Sequence, residues 1–220
     1  MGTADKSTGY LSIKLIYPVI GFCGAAILWF IMFSPLTAPS VNFWFTMSCS
    51  AASLTAYSLI LRRQETGLIF QMRLSDLFIG LGAAAILYGL FYLGNTISHM
   101  IFSFAGQQVS GVYATKSQAN TALIGALLLL LIVPAEEIFW RGFAQEQLMQ
   151  KLGLWKGFLI TTLVYTLVHL PSMNFMLIMA ALIAGLFWGW MYLKFRRLSV
   201  CIISHAVWDC AIFALFPITQ

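Results

Sequence analysis

Ala122 to Gly142 reads ALIGALLLLLIVPAEEIFWRG. From Ala122 to Ala135 there is no polar side chain, then two adjacent carboxylates follow, and an arginine stands four residues after the second. A run this apolar is either the heart of a large soluble core or a membrane span, and the rest of the chain decides between the two. The 220 residues are 60% hydrophobic and only 9% charged, with a mean hydropathy of +0.88. Soluble domains are about 25% charged, so too few polar residues exist here to cover a core of this size.

Working outward, comparable apolar runs fill the chain: Ile13–Leu36, Val41–Leu61, Leu77–Leu93, Thr121 into the Glu136 region, Phe158–Leu170, Phe175–Leu193 and Leu198–Ile218. A spanning helix needs roughly 20 apolar residues, and only the fifth run is short by that measure. No alternating pattern of about ten residues suggests a barrel, and lipid cannot satisfy an open backbone. The expected fold is an all-α polytopic membrane bundle of about seven transmembrane helices, one integral membrane domain over residues 1–220.

The cations support the same segmentation. Lys6 and Lys14 precede the first run, and Arg62, Arg63 and Arg73 follow the second. Arg141, Lys151 and Lys156 follow the fourth, and Lys194, Arg196 and Arg197 the sixth; the alternate connections hold only Lys116. Under the positive-inside rule this alternation implies a plasma-membrane protein with a cytoplasmic N-terminus and an external C-terminus. It also argues that the short fifth run spans. The net charge of +5 then reflects topology and contact with anionic lipid heads, and no basic run interleaved with aromatics points to nucleic acid. The first apolar run is too long for a cleavable signal. Cys23, Cys49, Cys201 and Cys210 lie in apolar runs without a CxxC spacing, so they are expected to be buried thiols.

Ionisable residues inside a membrane are costly and mark functional sites by default. They are Glu136, Glu137, Arg141, His169, His205 and Asp209, all in the C-terminal half. The first three runs therefore look like a scaffold. On a helix, Glu136 and Glu137 diverge by about 100°, so they cannot share one task. Glu137 stands four residues before Arg141, the favourable order for an ion pair on one face, which leaves Glu136 without a local partner. Pro134 lacks an N–H, so the helix is expected to be perturbed just before the pair. His205 and Asp209, four apart, share a face. Each feature has a bland counterpart: a solvated helix end, an interfacial histidine, a polar contact between helices. Depth favours convergence. At 1.5 Å per residue, measured from Lys151 for Glu136, from Lys156 for His169 and from Arg197 for His205 and Asp209, these groups lie roughly 22, 20, 12 and 18 Å into a core about 30 Å thick.

The ordered set "EEIFWR" (Glu136–Arg141), "YTLVH" (Tyr165–His169) and "HAVWD" (His205–Asp209) resembles the CPBP family, which includes type II CAAX prenyl proteases and bacterial Abi proteins. The resemblance extends over roughly residues 76–218. It implies an intramembrane endopeptidase acting on a hydrophobic or lipidated peptide or membrane-protein substrate that enters from the cytoplasmic side. By motif match, Glu136 with His169 would activate water, and His205 with Asp209 would stabilise the oxyanion. Glu137 and Arg141 would support the site, and no cofactor is implied. Asp209 departs from the Asn of the eukaryotic-type enzymes. An ionised Asp cannot donate to an oxyanion, so Asp209 is either protonated there or orients His205.

Three alternatives accompany this reading. Zinc held by His169, His205 and a carboxylate, Glu136 or Asp209, would give a metalloprotease, although no HExxH preorganises two ligands. A proton-coupled transporter would use the Glu–His–Asp set as a relay, but such proteins usually show repeated halves. A non-catalytic protein conferring immunity by binding a bacteriocin would keep the same residues.

Overall fold

The computed structural model describes residues 14–62 and 71–218; Lys6 and Arg63 lie outside the described residues. Among these residues the chain is helical and contains no strand. In order, the helices are α1 (Ile16–Phe33), α2 (Phe43–Leu61), α3 (Leu74–Ile101), α4 (Ala105–Tyr113), α5 (Thr121–Leu152), α6 (Leu154–Leu167), α7 (Phe175–Phe195) and α8 (Leu198–Leu215). All except α4 and α6 are long and apolar enough to cross a membrane. The protein is an all-α polytopic bundle.

Two expectations shift. The third run does not stop at Leu93: α3 continues to Ile101 and covers 28 residues. The stretch after it contains a separate short helix, α4, followed by a 3-10 turn over Ala114–Gln118. The fifth run is α6, only 14 residues, yet it joins opposite ends of the bundle. Gly153, at φ 92°, adopts a conformation open mainly to glycine and lets α6 start directly after α5. A Cβ at Gly157 would come within 2.3 Å of the Met149 amide nitrogen, so α6 crosses the α5 backbone at a distance only glycine allows.

The bundle has two distinct ends. At one, the basic end, Arg62 and Arg73 flank the α2–α3 connection, Lys151 and Lys156 the α5–α6 turn, and Lys194, Arg196 and Arg197 the α7–α8 turn. Helices α2, α5 and α7 start at the far end, and an asparagine caps each. The Asn42, Asn120 and Asn174 side chains accept from the amides of Phe45, Leu123 and Leu177 at 3.0, 2.8 and 2.9 Å, satisfying donors that the first turn leaves free. The outer faces keep large apolar side chains exposed, Phe45, Ile60, Ile86 and Leu130 among them, as a lipid-facing surface requires. Two of the four cysteines belong there: Cys23 and Cys49 are exposed, contrary to the expectation of burial, whereas Cys201 is buried.

Candidate active site

Helix α5 departs from regular geometry at two places. Its pitch widens to i+5 hydrogen bonding over Leu128–Ile132, immediately before Pro134, and again over Ile138–Gln145. Proline cannot donate into the ladder, and wide turns of this kind recur at functional sites. Between them a single regular stretch, Val133–Glu137, carries both carboxylates. The Ala135 carbonyl there accepts from Thr55 Oγ1 of α2 at 2.7 Å.

The divergence of the two glutamates is borne out. Glu137 Oε1 lies 2.8 Å from Arg141 Nη1, with both groups buried. The same oxygen lies 2.7 Å from His205 Nδ1. A carboxylate oxygen accepts, so Nδ1 carries the hydrogen and Nε2 is turned towards the cavity. Glu137 therefore joins α5 to α8 as well as holding the arginine. Trp188 of α7 stacks on the His205 ring, centroids 3.6 Å apart and planes at 21°, while its own Nε1 donates to Ser204 Oγ at 3.2 Å. The Arg141 guanidinium lies over the rings of Tyr165 and Trp188, at 5.0 and 5.6 Å from their centroids, a cation–π arrangement. Carboxylate, guanidinium and stacked indole together leave His205 one orientation.

On the cavity side, His205 Nε2 is 4.0 Å from Glu136 Oε2 and 3.5 Å from Asp209 Oδ2. Asp209 thus stands at the nitrogen opposite the one Glu137 holds. It shares the cavity side with Glu136, and the atom that holds His205 Nδ1 is a glutamate oxygen. All three groups line a cavity of about 550 Å³.

His169 reaches the same cavity, just past the end of α6. Its Nε2 accepts from Trp29 Nε1 at 3.2 Å, and its Nδ1 donates to the Tyr165 carbonyl at 2.7 Å. Both nitrogens are engaged, and Trp29, Phe33 and Tyr165 pack around the ring. The structure therefore brings Glu136, His205 and Asp209 into direct apposition and seats His169 in the aromatic wall beside them. Among the described residues no three His, Cys, Asp or Glu side chains are arranged to hold a metal ion, and His169 has no free lone pair to offer one.

Three parts of the site were not legible in the motifs. Trp29 belongs to the first run, assigned above to scaffold, yet it reaches across to His169. Trp188 sits inside GLFWG (Gly185–Gly189), whose spacing signals close helix approach. That approach is present: a Cβ at Gly189 would fall 2.9 Å from the Phe158 ring, and one at Gly185 3.1 Å from Tyr165. The glycines bring α6 and α7 together, which places Trp188 against His205. The contact between Glu137 and His205 spans 68 residues and has no local signal.

Comparison with known proteins bears on this segment. Residues 118–211 match the type II CAAX prenyl endopeptidase Rce1-like family. The match agrees with the CPBP resemblance carried by the three motifs, and all six motif residues fall within it. No curated protein and no solved structure matches the chain. The Rce1-like segment supports an endopeptidase working within the membrane.

Proposed function

We propose that the protein hydrolyses a peptide bond of a hydrophobic or lipidated segment, with Glu136 as the general base. The observation that carries this is the pair of Glu136 Oε2 and His205 Nε2, 4.0 Å apart at the floor of a mostly apolar cavity. One water can bridge such a gap. Glu136 takes a proton from that water as its oxygen attacks the carbonyl carbon, then returns it to the leaving amine, so that the C–N bond breaks and no redox partner is needed. His205, held through Nδ1 by Glu137, acts as the imidazolium, so that Nε2 also carries a hydrogen and presents it to the carbonyl oxygen as negative charge develops there. Asp209 lies on the same side and assists as a neutral donor. His169 shapes the wall, and it reaches the water only if Trp29 releases its Nε2. Zinc is the weaker version of this reading, because the donors do not converge on a common point.

The Rce1-like family acts on prenylated peptides at membranes, and a lipid chain suits the aromatic wall formed by Trp29, Phe33, Phe43 and Trp44. The test compares cells expressing wild type with cells expressing Glu136→Gln at equal abundance. A membrane-protein fragment should disappear and its precursor accumulate in the variant. Identical membrane proteomes in the two strains would overturn the hydrolase reading.

A further inference from the structure

The cavity occupies only one half of the bundle. Glu136, Trp188 and His205 form its floor, and from there it rises towards the far end. On α1 its lining residues are Trp29 to Phe33, near the helix's last turn; on α2 they are Phe43 to Met47, in the first turn. On α3 they run from Leu90 to Ser98, and on α7 from Met176 to Trp188. Below the floor the bundle is closed by buried charge networks around Glu137, Glu146 and Asp76.

A strap covers the top. Helix α4 and the turn after it lie over the cavity, contributing Val109, Val112 and Tyr113. Gln108 ties one end of the strap to α7, its carbonyl accepting from Asn174 Nδ2 at 2.8 Å and its Oε1 from the Met176 amide at 3.0 Å. Gln118 ties the other end to α2 through Asn42 Nδ2 and the Phe43 amide. The open side is the slot between α3 and α7. Leu90 and Ile183 line the cavity from those two helices and are still 49% and 40% exposed. A Cβ added at Gly94 would meet nothing within 4 Å.

The charges orient this half. Among the described residues, every cation flanking a span clusters at the closed end, apart from Lys116 on the strap, which by the positive-inside rule makes the open half extracytoplasmic. We infer that the substrate arrives from the extracytoplasmic side, as an apolar peptide segment entering laterally between α3 and α7. This reverses the cytoplasmic entry that the family resemblance implies. It rests on the hydrolase reading for what happens to the peptide, and on cavity and charge alone for how the peptide arrives.

The test uses the full chain in intact cells and a membrane-impermeant charged maleimide. Ser98→Cys places a thiol on the cavity wall, Ser117→Cys places one on the strap outside the cavity, Lys156→Cys places one at the closed end, and wild type gives the background from Cys23 and Cys49. Ser98→Cys and Ser117→Cys should label in intact cells, and Lys156→Cys only after permeabilisation. A 20-residue leucine–alanine peptide with lysine flanks, added outside, should slow labelling of Ser98→Cys about tenfold and leave Ser117→Cys unchanged. Labelling of Lys156→Cys in intact cells with protection of the other two would invert the orientation and overturn the inference. Equal labelling of Ser98→Cys with and without peptide would overturn the occupant. Labelling reads access whether or not the protein cleaves anything, so it fails independently of the Glu136→Gln experiment.

Discussion

The two halves of the bundle are built from different chemistry. At the basic end, buried carboxylates are paired with arginines that reach the surface. Glu146 accepts from Arg196 at 2.7 Å, from Gln150 at 2.8 Å and from Tyr192 at 2.9 Å. Asp76 accepts from the Arg73 amide at 3.1 Å and from Ser199, with Arg197 at 2.5 Å. Arg62 donates to the Gly142 carbonyl where α5 is widened. At the far end neutral amides do the joining: Asn42, Gln108, Gln118 and Asn174 hold a strap over an aromatic cavity. The closed half anchors its pairs on fully buried carboxylates, and leaving such a group without its partner is costly. The open half surrounds a mostly apolar cavity, and neutral hydrogen bonds of about 1 kcal/mol each hold its cover.

The comparison breaks first at the boundary between the halves. Glu136→Gln keeps size and hydrogen bonding but removes the base, so turnover should fall by about 10²–10⁴, with thermal stability unchanged; a large drop in melting temperature would place Glu136 with the structural charges. Glu137→Gln belongs to the closed half. It leaves Arg141 buried without its countercharge and should cost about 3–5 kcal/mol, seen as a lower unfolding midpoint in detergent. The folded fraction should also turn over more slowly, because His205 loses its hold. Equal abundance and equal activity loss in the two glutamate variants would erase the division of labour.

Asp209 sharpens the line within the open half. Asp209→Ala should lose about 10²–10³ in rate, while Asp209→Asn, which supplies an N–H without needing a proton, should keep or raise activity at neutral pH. An Asn variant as inactive as Ala would mean that the carboxylate itself is required. The smallest effect belongs to the strap. Gln118→Ala removes side-chain support at the Phe43 amide and should cost only about 0.5–1.5 kcal/mol. Hydrogen exchange should rise over the Ala105–Gln118 strap and stay constant at the basic end. A loss as large as that of Glu137→Gln would show that the far end is no less rigidly built than the closed one.

Much of this was legible in the sequence because it is local. Apolar run length set the helices, and periodicity of 3.6 separated Glu136 from Glu137 and aligned Glu137 with Arg141. The Pro134 perturbation follows from one missing donor. The comparable depth of Glu136, His169, His205 and Asp209 followed from spacing and helix rise. What failed was whatever depends on neighbours far along the chain. Trp29 was assigned to scaffold because a tryptophan in an apolar run carries no sign of what it will meet. Glu146 was passed over because it stands near a segment end, where solvation is the ordinary outcome.

The sequence by itself determined a membrane bundle, its segmentation, its charge asymmetry and the list of groups able to do chemistry, since these follow from hydrophobic length and residue type. Only the tertiary structure decided how those groups are paired. It engaged both nitrogens of His169, gave Glu137 a second partner in His205, set Asp209 on the cavity side of His205, and opened the cavity away from the basic end. Each of these turns on where the helices cross. Crossing is set by close packing at positions such as Gly157 and Gly189, a three-dimensional fit that no single segment encodes.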